Sequence, residues 1–404
     1  MINLWLTEIG EGFIWLIGQP LLYWAIVLTI LTSYYRRKQE RTDFGSSVYK
    51  SGTEWKRTWL LCVISGIVIS ASLIVTGGIL SYPVWLLISV LSIIVTITGR
   101  LYLLSAGYLM GITVILLAVM QQYTLTIDVL PAQWMEELMN VSPPLILALT
   151  AVFLIIESIL WFTADKEYAF PKLIKGKRGK YIGLHNVKRL SVVPMLVPVP
   201  GGAIDGLFSW WPLLPIGDHG YGLMLFPFLM GIQQAFQGHF SNQGGKLFGK
   251  WVLTLGLITG IFAAGSFYDP LFIYIGAAVA ILGRAIIQLY VRFVDREKTS
   301  IFRPQSDGLI ILAVIKDSPA DKMGLKTGER VEKVHQIPVT NEIEFYDALQ
   351  ESRTFCKLEV RDVHGEIRFV QGPMYQGDHH ELGLVFVKEK PRFRLYQDLP
   401  NHVV

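Results

Sequence analysis

The chain has 404 residues, 52% hydrophobic and 17% charged, with a formal net charge of +4. A soluble chain carries about 25% charged residues, so a wholly soluble protein is excluded, and the small net charge matters less than where it falls. Cys62 and Cys356 lie in different regions, which argues against a disulfide framework and leaves no cysteine metal cluster.

Residues 1–12 hold no Lys or Arg, so no cleavable signal peptide is expected. Apolar runs then follow at 13–35, 58–80, 83–98, 101–120, 144–163, 251–267 and 271–293. Most are about 17 to 23 residues, enough to cross a hydrocarbon core about 30 Å thick. The segments at 36–57 and 164–190 are rich in Lys and Arg, whereas 121–143 carries Asp128, Glu136 and Glu137 and no basic residue. By the positive-inside rule the two basic segments are cytoplasmic and the acidic one external. The N-terminus is then outside, and the chain after Phe293 is inside. Juxtamembrane Lys and Arg mark that face and attract anionic lipid, so nucleic acid is not an expected partner. Glu157 and Arg284 stand inside apolar runs. Buried membrane charges are usually paired, and the two are expected to form an intramembrane ion pair, either as a packing device or as an ion relay.

Residues 191–240 are apolar but broken by Pro194, Pro198, Pro200, Gly201, Gly202, Pro212 and Pro215. Both flanks are basic, so the stretch makes an even number of crossings, as two irregular helices or one re-entrant element. Irregular backbone at membrane depth survives only when buried in protein or facing water, which places it inside the bundle. Asp205 within it has no evident partner.

Beyond Asp307 the pattern changes to short strands and turns. Residues 308–315 read as a buried strand, and Ser318-Pro319-Ala320-Asp321 as a capped helix start. Gly324 and Gly328 mark turns, 330–335 a strand, 341–351 a helix and 355–360 another strand. The run GLIILAVIKDSPADKMGLKTGERVEKVHQIPV resembles the bacterial PDZ domain. Glu329 stands where that family has Asp, and His335-Gln336 where it often has Asn-Gly, which predicts a looser turn. The resemblance implies a peptide groove formed by Leu382, Gly383, Leu384, Val385 and Phe386 against Phe345 and Leu349. The match is in an unusual chain order, and 384–387 also reads as a closing strand.

No His-Glu-x-x-His, Gly-x-Ser-x-Gly or Walker-type motif is present, so no catalytic apparatus, metal or cofactor is expected. His379-His380-Glu381 reads as a solvated loop. The sequence thus predicts an α-helical polytopic membrane domain at 1–297, with about seven to nine membrane segments and one irregular or re-entrant region. A small β-rich PDZ domain follows at 298–390, then a tail at 391–404. This architecture, with the loop YYRRKQER leading to Val48-Tyr49, resembles the MinJ-type division-topology proteins of Gram-positive rods. The resemblance implies a non-enzymatic adaptor at the division septum and poles. It would link a DivIVA-like polar coiled-coil protein to a MinD-like ATPase, contact division-site membrane proteins and self-associate as a homo-oligomer. A membrane-embedded protease or its regulatory subunit, and a transporter with an appended sensor, are the alternatives.

Overall fold

The computed structural model describes residues 2–53, 55, 58–124, 130–176, 179–204, 220–351, 355–373 and 382–387. Asp128, Asp205, the 379–381 triplet and the 391–404 tail lie outside them.

Helices α1 (Ile2–Ile17) and α2 (Pro20–Phe44) meet at a 52° bend. The run at 13–35 is therefore not one helix. It breaks at Gly18-Gln19, where Pro20 opens α2 and its ring excludes a continuous hydrogen-bond ladder. Then come α3 (Trp59–Thr76), α4 (Tyr82–Ile97), α5 (Ala106–Tyr123), α6 (Ala132–Asn140) and α7 (Pro143–Phe162). After the hairpin described below come α8 (Ser241–Gly265) and α9 (Leu271–Glu297). Among the described residues five helices (α3, α5, α7, α8 and α9) are long and apolar enough to cross a membrane, or six with the bent α1–α2 pair. That is fewer than the seven to nine segments expected. Helix α4 has only 16 residues, and the described residues of the irregular region add no helix. Helix α8 approaches α7 through Gly245, Gly249 and Gly256, whose Cα atoms face α7 backbone carbonyls, as small residues do at membrane helix interfaces.

The irregular region is a long antiparallel hairpin. Strands β1 (Phe170–Lys175), β2 (Tyr181–Ile204) and β3 (Tyr221–Phe236) form one sheet in that order. The hairpin is inside the bundle, as expected, but it is strand and not helix. Its side chains share the main core with the helices: Trp85 meets Phe226 and Phe153 meets Phe228, at centroid distances of 4.4 and 4.1 Å. Near one end Arg189 donates to the Thr163 carbonyl at the end of α7, and nine residues on the Pro198 carbonyl accepts from Leu80 N in the α3–α4 turn. At about 3.3 Å per residue this interval is about 30 Å, the thickness of a hydrocarbon core.

A strand edge at that depth needs every donor answered. Past Asn186 the edge of β2 opposite β3 has no strand neighbour among the described residues and faces α3. Leu196 N–H donates across this edge to Ser70 Oγ at 2.7 Å, so the even-numbered residues of β2 point their amides at α3. Pro194, Pro198 and Pro200 hold three of these even positions, and each removes the donor that its position would leave unpaired. Gly66 lets α3 come close, since a Cβ there would overlap the Pro194 carbonyl.

The C-terminal region is a second sheet, in the order β8–β7–β5–β4–β9 with β6 on β5. Its strands are β4 (Leu309–Val314), β5 (Arg330–Val334), β6 (Ile337–Pro338), β7 (Phe355–Arg361), β8 (Ile367–Pro373) and β9 (Leu384–Phe386), with helices α10 (Pro319–Lys322) and α11 (Glu342–Gln350). Ser318 and Asn341 cap the two helices through their side-chain oxygens. The β5–β6 turn is tight, not loose. His335 and Gln336 both take positive φ, 49° and 71°, as a primed hairpin turn requires. Glu329 accepts the Lys326 amide within its turn and pairs with Arg368.

Candidate functional site

Two constellations contain the residues singled out above. The first is at the edge of the C-terminal sheet. Leu382, Leu384, Phe386, Phe345 and Leu349 join one buried cluster, with the Phe345 and Phe386 rings 5.0 Å apart. Strand β9 therefore runs beside α11. Among the described residues it has one sheet neighbour, β4. Strand β4 lies between β5 and β9, so its edges are both occupied, and an added strand has β9 or β8 as its template. Ile315 N donates to Gly383 O and Ala320 N to Leu382 O, which fixes the 382–383 turn on the start of α10. Gly383 has φ 88°, and a Cβ there would overlap the Ser318 side chain. Valine at this position would thus disturb the α10 cap as well as any groove.

Val385 belongs to another cluster. With Ile310, Leu312 and Ala313 of β4 it packs on Phe44 at the end of α2, on Val48 beyond it, and on Phe170 and Leu173 of β1. The C-terminal sheet is docked by this face on the bundle's basic end. Gly183 N donates to Phe302 O, Ile301 N to Gln237 O, and His185 Nε2 lies 2.8 Å from Leu312 O. A carbonyl only accepts, so Nε2 carries the proton and Nδ1 accepts from Ser241 Oγ at 3.2 Å. His185 lies four residues beyond Arg189, where β2 pairs with β1, outside the membrane-depth interval. Burial pushes its imidazole down to about 4; the Leu312 hydrogen bond opposes this and the Lys166 charge adds to it.

The second constellation is inside the bundle. Arg284 Nε of α9 lies 3.0 Å from Glu157 Oε1 of α7 and 3.1 Å from Ser105 Oγ, and Ser105 donates to Glu157 Oε2 at 2.5 Å. Arg284 Nη1 donates to Gln288 Oε1, and Gln288 Nε2 to Gln234 Oε1 on β3. The guanidinium sits over the Phe248 ring, 4.8 Å from its centroid. All of these residues are buried. Glu157 and Arg284 were legible in the sequence as charges within apolar runs. Ser105, Gln288 and Gln234 were not, because a serine before a helix and lone uncharged glutamines carry no local signal, and only the packing brings them together. Arg284 Nε and Nη1 are answered while its Nη2 is buried without an acceptor, so the network satisfies most but not all of the donors a buried ion pair needs. Among the described residues no group of three His, Cys, Asp or Glu is placed to hold a metal. Burial pushes the Cys356 thiol of β7 up to about 12, so it stays protonated and inert.

Comparison with known proteins gives relatives of one kind. The chain is 31% identical, over 379 residues covering 92% of both chains, to a protein of Bacillus subtilis (strain 168) described as cell division topological determinant MinJ. It is 24% identical, over 238 residues covering 57% of this chain and 61% of theirs, to proteins of Lacticaseibacillus paracasei and Lacticaseibacillus casei described as probable cell division topological determinant MinJ. No family model matches the chain, and no solved structure matches it.

Proposed function

The chain belongs to the MinJ family of cell division topological determinants, and from that premise we propose that it is a non-enzymatic membrane scaffold. In this reading 1–297 is a multi-pass membrane domain and 298–390 a cytoplasmic PDZ domain. The domain recruits partners by taking an extended peptide as a strand beside β9, against α11. The observation that carries the reading is the edge position of β9, with Leu384 and Phe386 packed toward Phe345 and Leu349 and the Gly383 turn at its start. The relatives' names describe a positional role and no reaction. A DivIVA-like polar coiled-coil protein, a MinD-like ATPase and division-site membrane proteins are the partners that the family resemblance suggests, at the septum and poles.

The test compares the full chain with a truncation after Glu297, by co-purification from native cells and by hydrogen exchange. The truncation is expected to stay in the membrane and to lose at least one partner. Partner binding to the full chain is expected to slow exchange at 382–387 and 342–350. Retention of every partner by the truncation would show that the C-terminal region is not the recruiting element. Protection confined to β8 would move the groove to the other edge of the sheet.

A further inference from the structure

The basic end of α2 divides into two faces of opposite character. On the inner face Arg36 is spent on Glu40, at 2.8 Å, and on the Tyr49 and Lys50 carbonyls. Glu40 also accepts the Val48 amide, and Asp43 accepts the Leu173 amide. Both acids of this end are thereby committed to packing against β1 and the 47–50 segment. On the outer face Arg37, Lys38 and Arg41 have no carboxylate partner among the described residues. The Arg37 Nε is shielded from solvent with no hydrogen-bond acceptor. With Tyr34, Thr42 and Gly45 these three cations border an open cavity of about 560 Å³.

The side chains above this cavity narrow what fits it. Tyr23, Ile26, Val27, Ile30 and Tyr34 are 41–63% exposed; 23, 27, 30 and 34 are spaced by three or four residues and 26 lies beside them, which places all five on one stripe of the helix. The stripe runs directly into Arg37, Lys38 and Arg41. The apolar stretch of α2 ends at Tyr35, and Arg41 lies about 9 Å beyond it. The headgroup layer on each side of a bilayer is about 5–7 Å deep, so these cations lie at and just below phosphate level. A free phosphate or a nucleic acid would use the charge and leave the stripe unexplained. A molecule with two acyl chains and a phosphate uses both.

We propose that the outer face of α2 is a specific site for an anionic phospholipid of the inner leaflet, with its phosphate held by Arg37, Lys38 and Arg41 and its chains along the Tyr23–Tyr34 stripe. It rests on reading the helices as membrane-embedded and does not depend on the peptide groove. The test is native mass spectrometry of the full chain in neutral detergent, titrated with phosphatidylglycerol, phosphatidylcholine and inorganic phosphate. Phosphatidylglycerol is expected to bind more tightly than phosphatidylcholine. The R37Q/K38Q/R41Q variant is expected to lose about a hundredfold of that affinity, at about fivefold per cation. K246Q/K250Q, which removes two basic residues elsewhere at the same end, should keep it. Unchanged affinity in the triple variant overturns the site, and so does an equal loss in the control pair, which would mean diffuse attraction. Displacement of phosphatidylglycerol by inorganic phosphate at equal concentration overturns the lipid assignment. If the triple variant does not purify, K38Q/R41Q is judged by the same criteria. No partner protein is scored, so failure here is distinct from failure of the adaptor reading.

Discussion

In the helical bundle Arg284, Glu157, Ser105, Gln288 and Gln234 meet at 0–5% exposure, while Ile67, Ile261, Ile286 and Leu289 face outward at 63–72%. In the C-terminal region Ile311, Val331, Phe345, Leu358 and Phe386 are the residues at 0–1%, and Lys333–Glu359, Arg361–Glu332 and Arg368–Glu329 form ion pairs at the rim. The two regions solve one problem in opposite solvents. Where the surroundings are apolar, a polar group gains by turning inward to a partner, since hydrocarbon offers it nothing. Where water surrounds the fold, burying apolar area drives assembly and charge remains outside. The difference teaches that polar interactions carry specificity in the bundle and little of it in the sheet, and that claim can be tested residue by residue.

The largest effect is expected at the bundle's centre. Glu157→Gln leaves the Arg284 charge buried without its carboxylate, a change worth about 3–5 kcal/mol in protein interiors. Thermal melts in detergent should show a large fall for this variant and a smaller one for Glu157→Gln with Arg284→Met. Additive single effects would show that the pair does not interact.

Next comes the junction between the regions. His185 takes up a proton near pH 6.5 in the unfolded chain and only near 4 in the fold. Between those values the unfolded state binds more protons, so stability falls as the pH falls, by about 3 kcal/mol in all. Melts at pH 7 and 4.5 should differ strongly, and His185→Gln, which can keep both hydrogen bonds, should flatten the difference. A pH dependence unchanged by this substitution would place its source elsewhere.

A smaller loss is expected at the hairpin edge. Ser70→Ala leaves the Leu196 amide without an acceptor, which costs about 1–3 kcal/mol for a buried group. Chemical denaturation in detergent measures it, and a neutral result would mean that this edge reaches water. The smallest effect belongs to the pair Lys50–Asp317, 78% and 65% exposed. A double-mutant cycle there should find no measurable coupling at physiological salt. A clear coupling would mean that the regions are held together by charge more than by the apolar face of Val385 and Leu312.

How far these sites were legible follows from how local their signals are. The 308–315 strand, the Ser318 cap and the 341–351 helix depend on neighbours a few residues away, and they fold within a residue or two of where the sequence places them. Strand β8 was missed because Ile367, Phe369 and Val370 lie in a run too short and mixed to distinguish from a loop. The hairpin at 181–236 was missed because prolines usually break strands. Pro194, Pro198 and Pro200 share one parity, alongside Val192, Val193, Val197 and Val199. That spacing was the available clue to an edge strand with its donors deleted.

The sequence by itself determined which segments avoid water, which end of the bundle is basic, and that a compact β-rich region follows Glu297. These properties depend on composition and short-range period, which the chain carries whatever its fold. Only the tertiary structure decided that a broken apolar stretch would be a hairpin and that Gln234 and Gln288 would extend the Glu157–Arg284 pair. It alone decided that β4 and β9 would dock through Leu312 and Val385 on the strand and helix end at 44–48 and 170–173. Each of these brings together residues far apart in the chain. Whether a serine, a proline or a histidine is an ordinary residue or an essential one there depends on what stands opposite it.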